Sequence, residues 1–99
     1  MFVIDEEKLT QRPEMRLGNY VYKIDNRLSV FERMNRRIKD GDGSEFEVII
    51  GGALGDATYK EILEMDLPFS VMQDIVIVIL AAIQGIGEDE ARARFRQGG

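Results

Sequence analysis

The chain has 99 residues, 44% of them hydrophobic and 31% charged, which is enough apolar material for one folded domain around a single core. It contains no Cys and no His, so the thiolate and imidazole groups of most metal centres and nucleophile–base pairs are missing. The net charge of −5 argues against nucleic acid and anionic membranes as partners, because both are negatively charged, and leaves other proteins as the expected partners.

The first 24 residues show two patterns. Residues 1–13 have no sustained period and predict an N-terminal arm or an edge strand, and their start, MFVIDEEKL, lacks the features of a signal peptide, which favours a cytosolic protein. Residues 14–24 alternate on either side of Gly18-Asn19, two residues that suit a tight turn. This pattern predicts a β-hairpin, which needs a neighbouring element to pack against.

Residues 25–39 predict an amphipathic helix. Asp25 or Asn26 is the expected cap, and the Asp40-Gly41 step is the expected end, because Gly adopts the left-handed conformation that closes many helices. Apolar side chains recur every three or four residues, which is the helical period. They are Leu28, Phe31, Met34 and Ile38.

Residues 44–54 fit two structures. A helix capped by Ser44 explains the spacing of most apolar residues, whereas a strand would explain the alternation of Phe46, Val48 and Ile50. We favour the helix, although Gly51 and Gly52 weaken it by about 1 kcal/mol each. After the break at Gly55-Asp56, a second short helix is expected, whose shared face contains Tyr59, Ile62, Leu63 and Met65.

The most apolar segment predicts a helix over residues 71–84. Pro68 is acceptable near its start, Gly85 is suited to its end, and its length exceeds that of a usual strand but falls short of a membrane span. A last helix is expected after Glu88, with Ala91 and Phe95 on its inner edge. The whole pattern predicts a mainly α fold of about four to five helices with a short N-terminal β-hairpin, a small α+β single domain over residues 14–97.

The apolar surface of the 71–84 helix exceeds one stripe. The core-facing stripe would contain Met72, Ile75, Val76, Ile79, Leu80 and Ile83, which leaves Ile77 and Val78 outside it. Either the helix is central and surrounded by its own domain, or this second face binds another protein chain. The residues predicted for such an interface are Val71, Ile77, Val78, Ala81 and Ala82.

No segment predicts catalysis, a cofactor or a metal site. Residues 40–44 resemble the start of a calcium loop, but the required Gly and Glu are replaced by Glu45 and Gly51. Residues 51–55 are not followed by the Lys-Ser/Thr of a phosphate-binding loop, so close packing is their plainer explanation. We therefore expect a protein that is not an enzyme.

The order of these elements resembles the tail assembly chaperones of long-tailed, siphovirus-type bacteriophages. The likeness covers residues 20–96 and is one of pattern. Besides the amphipathic helix, the resemblance rests on the following segments: Tyr22-Lys23-Ile24-Asp25, Ala53-Leu54-Gly55, residues 59–65, Asp66-Leu67-Pro68-Phe69-Ser70, residues 79–85 and Ala91-Arg92-Ala93-Arg94-Phe95.

The resemblance implies a protein of the host cytoplasm that binds the tape-measure protein and keeps it soluble while tail tube protein polymerises around it. Such a chaperone leaves before the virion matures and is expected to form homo-oligomers. The alternative function is a virion head-tail connector or another small structural or regulatory helical protein.

Overall fold

A β-hairpin and five α-helices make up the part of the chain that the computed structural model describes, which is residues 1–87, 89 and 90. The mainly α fold with an N-terminal hairpin is therefore confirmed. The predicted last helix, with Ala91 and Phe95, lies outside the described residues. The elements are α1 (Glu6–Thr10), β1 (Glu14–Leu17), β2 (Tyr20–Lys23), α2 (Leu28–Asp40), α3 (Glu45–Leu54), α4 (Asp56–Glu64) and α5 (Phe69–Gln84).

The hairpin has the predicted two-residue turn, since Leu17 pairs with Tyr20 across it. Gly18 has a φ of 61°, a conformation that Gly adopts without strain. The Ile24 N–H donates to the Pro13 carbonyl at 2.8 Å, which extends the pairing beyond the strands. The next residue, Asp25, donates its N–H to the Ala53 carbonyl in α3 at 2.9 Å. The hairpin is thereby attached to the end of α3.

The predicted cap of α2 is wrong. Arg27 occupies the cap position, and its side chain makes no capping hydrogen bond. The Asp25 carboxylate instead accepts two hydrogen bonds from the Arg27 guanidinium, Nε at 2.8 Å and Nη2 at 2.7 Å. The Asp25 Oδ1 also accepts the Arg27 backbone N–H at 3.3 Å, so the carboxylate binds the residue at the cap position and not the N–H groups of the first helical turn. The predicted end is correct, because Gly41 is left-handed with a φ of 70°.

Only part of the predicted apolar face of α2 is buried. Val30 and Met34 are buried, whereas Leu28 is 70% exposed and Ile38 is 47% exposed. Met34 lies against α3 at Gly52, where an added Cβ would come within 3.0 Å of the Met34 Cε. The absence of a side chain at Gly52 therefore lets α2 approach α3 through Met34 and not through Leu28.

Residues 45–54 form a helix, so the favoured alternative is confirmed. The Ser44 hydroxyl accepts a hydrogen bond from the Glu47 N–H at 3.1 Å, which is the predicted N-cap. Its packing explains the two glycines: an added Cβ at Gly51 would meet the Asp56 carboxylate at 3.1 Å, and Gly52 meets Met34. Close approach of neighbouring elements, and not phosphate binding, accounts for this glycine pair.

Helix α5 supplies more buried residues than any other described element. It begins at Phe69, two residues before the predicted start, with Pro68 as its cap, and ends at a left-handed Gly85. Its predicted inner stripe is confirmed: four residues are buried, and Leu80 and Ile83 are partly buried against the same cluster. The four are Met72, Ile75, Val76 and Ile79. None of the described helices has the length and apolar character needed to cross a bilayer.

Candidate protein-binding surface

The five residues that the sequence predicts as an interface lie on two sides of α5. Ile77 is only 5% exposed and, with Ala81, forms a second apolar cluster against which Ile86 packs. Val71, Val78 and Ala82 are partly buried and pack against the main core. None of the five is among the strongly exposed apolar residues, and their role in an interface stays a prediction.

Helix α5 is buried on two sides at the level of Ile77. At 100° per residue, Ile77 and Ala81 lie roughly opposite the stripe around Ile79, and both sides are buried. Ile77 therefore has a burial site within its own chain, beside Ala81 and Ile86. The helix that packs against several others is α3, which contacts α2, α4 and α5.

An open apolar groove lies instead between the start of α2 and the end of α5. We call it the α2–α5 groove. Its walls are three large apolar side chains and two amides, with no charged side chain. They are Leu28, Phe31 and Ile83 with Asn26 and Gln84. Leu28 and Ile83 are 55 positions apart in the sequence, so the groove exists only because the hairpin and α3 bring α2 beside α5.

Positive charge is concentrated on α2, where Arg33 and Arg37 lie on the side that faces α3 and not at the groove. Residues 27–40 contain five basic and two acidic residues, a net charge of +3, so the rest of the chain carries −5 − 3 = −8. Arg27 is engaged by Asp25, and Arg37 contacts Asp42 at 3.4 Å. Within the described residues, Arg33, Arg36 and Lys39 form no ion pair and are exposed. The basic side chains beyond the groove are therefore available to a partner.

The N-terminal arm shows the opposite combination. Phe2, Val3 and Ile4 lie outside regular secondary structure and are strongly exposed, and Leu9 in the short helix α1 is exposed as well. The three apolar residues are followed directly by Asp5-Glu6-Glu7, a run of three carboxylates. The arm thus joins an unburied apolar segment to a negative one.

A second concave surface lies beside the hairpin and is lined by Tyr20, Glu61, Glu64 and Met65. Nearby, the Tyr22 hydroxyl is buried without a hydrogen-bond partner among the described residues. Burial raises the pKa of Tyr22 above its ordinary value of 10.0, and the negative charge of Glu61 and the neighbouring Tyr20 raise it further.

The loop that resembles the start of a calcium site has a structural role. Gly41 closes α2, and Asp42 faces the Arg37 guanidinium. Across the described residues, no group of three or more acidic side chains converges as metal ligands would. The arrangement of these residues is that of a helix end.

The α2–α5 groove could not be predicted from the sequence pattern. Leu28 and Phe31 belong to the apolar pattern of α2, but the pattern alone does not tell an outward-facing stripe from an inward-facing one. Comparison of the chain with protein families, with curated proteins and with solved structures finds no significant match.

Proposed function

We propose that this chain is a non-catalytic tail assembly chaperone of a long-tailed bacteriophage. It binds the tape-measure protein in the host cytoplasm, keeps it soluble while tail tube protein polymerises, and is released before the virion matures. The resemblance over residues 20–96 supports this choice of partner. The binding surface is the α2–α5 groove.

The observation that carries the proposal is the exposure of large apolar side chains at this groove. Leu28 is mostly exposed, and Phe31 and Ile83 are partly exposed beside it. Burying a side chain of this size contributes about 1.5 to 3 kcal/mol, so a partner that covers all three gains substantial binding free energy. An amphipathic helix inserts its apolar face into grooves of this kind.

The charge of the protein supports the same function. A tape-measure protein is long, apolar and prone to form coiled coils, so it requires many bound copies to cover it. Each copy brings a net charge of −5, and the repulsion between coated chains opposes their aggregation.

The test is co-expression with the tape-measure protein encoded nearby. The wild-type chain should keep that protein in the soluble fraction, and Leu28→Asp should reduce the soluble fraction severalfold, because it places a charge in the apolar groove. Leu63→Asp is the matched control, since Leu63 is also an exposed leucine on a helix but does not line the groove. This control should behave as the wild type does.

Two results would contradict the proposal. One is precipitation of the tape-measure protein to the same extent with and without the chain. The other is recovery of the chain in stoichiometric amount from mature particles, which is the property of a head-tail connector and not of a chaperone that leaves.

A further inference from the structure

We infer that the N-terminal arm of one copy binds the α2–α5 groove of a second copy. Phe2, Val3 and Ile4 insert between Leu28, Phe31 and Ile83, and the acidic residues 5–7 lie along the basic end of α2. The inference goes beyond the proposed function, because it concerns a contact between copies and requires no client protein.

The first argument is that both surfaces are apolar and uncovered in the single chain. The arm begins beside the groove, since the Arg12 guanidinium contacts the Asn26 side chain at 3.4 Å. Even so, Phe2, Val3 and Ile4 remain exposed, and Leu28 remains 70% exposed. The arm therefore does not fill the groove of its own chain, and an identical groove on another copy offers it a burial site.

The second argument is charge complementarity. The arm carries three consecutive carboxylates, at residues 5–7, directly after its apolar residues. Helix α2 carries Arg36 and Lys39, both exposed and free of ion pairs within the described range. Each surface has an apolar part and a charged part, and the charges are of opposite sign.

The third argument is spacing. From Phe31 to Arg36, five residues along α2, the rise is about 7.5 Å at 1.5 Å per residue. From Ile4 to Glu6, where α1 begins, an extended chain covers about 7 Å, at roughly 3.3 to 3.6 Å per residue. An arm whose Ile4 lies at Phe31 therefore places Glu6 at the level of Arg36 along α2.

The contact is head to tail, because the arm and the groove are different surfaces of one molecule. Such contacts produce closed rings or open filaments according to the rotation between copies, and they leave one free arm and one free groove on every open assembly. The arm also competes with any client for the groove. Binding of a client should therefore release copies from one another.

The experiment measures self-association of the full chain by sedimentation and light scattering over a range of concentrations. The wild type should associate, and Phe2→Asp/Ile4→Asp and Leu28→Asp should each weaken association by at least about tenfold in Kd. Leu63→Asp should not change it. Circular dichroism checks that each variant remains helical, because all of these positions are exposed and the fold should be retained.

A mixing experiment tests whether the arm of one copy and the groove of another are the two partners. The arm variant retains an intact groove, and Leu28→Asp retains an intact arm, so an equimolar mixture should form a one-to-one complex at a concentration where each variant alone associates weakly. A mixture that forms no complex would overturn the inference, and so would a wild-type chain that stays monomeric at every concentration, which is the result expected of an arm that folds back onto its own groove.

A charge exchange tests the register. Arg36→Glu/Lys39→Glu should weaken association, and adding Glu6→Lys/Glu7→Lys to the same chain should restore it, because the opposite charges meet again. Failure of the exchange to restore association overturns the assigned register of the arm. The arm variant should still solubilise the tape-measure protein, so loss of self-association and loss of client binding are distinguishable.

Discussion

Tyr22 is the residue whose environment is least satisfied in the described part of the chain. Its hydroxyl is buried without a hydrogen-bond partner there, and its ring stacks on Tyr20 with ring centroids 6.4 Å apart. A buried polar group without a partner costs about 1 to 3 kcal/mol, so its removal should be favourable. We expect Tyr22→Phe to raise the free energy of unfolding by about 1 kcal/mol in urea denaturation.

Tyr20→Phe is the control, because the Tyr20 side chain is exposed and its hydroxyl reaches solvent. It should leave stability unchanged within about 0.5 kcal/mol. A loss of stability in Tyr22→Phe would show that the hydroxyl has a partner after all.

The same residue predicts a dependence on alkaline pH. Burial, Glu61 and Tyr20 raise the pKa of Tyr22 in the folded chain, so above about pH 10 the phenol of the unfolded chain loses its proton first. The unfolded state then binds fewer protons, and the free energy of unfolding falls as the pH rises. Tyr22→Phe should show a smaller fall than the wild type between pH 9 and 11.

Helix caps show how far single residues are predictable. Ser44 was correctly identified because its hydroxyl has no competing partner and the Glu47 N–H is three residues away. The prediction that Asp25 caps α2 was wrong because its carboxylate binds Arg27, a contact that depends on the rotamers of both residues. Local backbone geometry is encoded by the sequence nearby, whereas a choice between two partners is not.

At the scale of elements, α5 supplies more buried residues than any other described element and should be the most sensitive to substitution. Ile77→Asp places a charge at a site that is 5% exposed, which should reduce the free energy of unfolding by more than about 3 kcal/mol. Ser70→Asp is the control, because Ser70 is exposed in the first helical turn, where a negative charge is favourable. Both variants are measured by urea denaturation.

An Ile77→Asp protein that retains wild-type stability and loses only self-association would support the interface that the sequence predicts at this face.

Helical period predicted the elements well, because it depends on residues only three or four positions apart. It could not predict the outward direction of Leu28, which follows from the contact of Met34 with Gly52 in another helix.

At the scale of the whole molecule, charge is unevenly distributed: residues 27–40 carry +3 and the remainder −8. Added salt shortens the screening length of electrostatic interactions between these charges, from about 14 Å at 0.05 M to about 4 Å at 0.5 M. Self-association should therefore weaken as salt is raised over this range, as measured by sedimentation. The charge-exchanged chain should show the same salt dependence, whereas a contact that is purely apolar would strengthen or remain constant.

The composition and the pattern of the sequence were sufficient for the fold class, because one stripe per helix specifies a single core. The α2–α5 groove required the tertiary structure, since it joins residues 26–31 to residues 83–84, which are far apart in the sequence.

The attachment of the hairpin has a mechanical consequence. A pulling force on the arm reaches Pro13, whose carbonyl is bonded to Ile24, and passes through Asp25 to the carbonyl of Ala53 at the end of α3. Met15 and Ile24 lie in the core along the same path. The C-terminal end of the arm is therefore held by hydrogen bonds to the folded domain. Tension between linked copies would be carried by that domain.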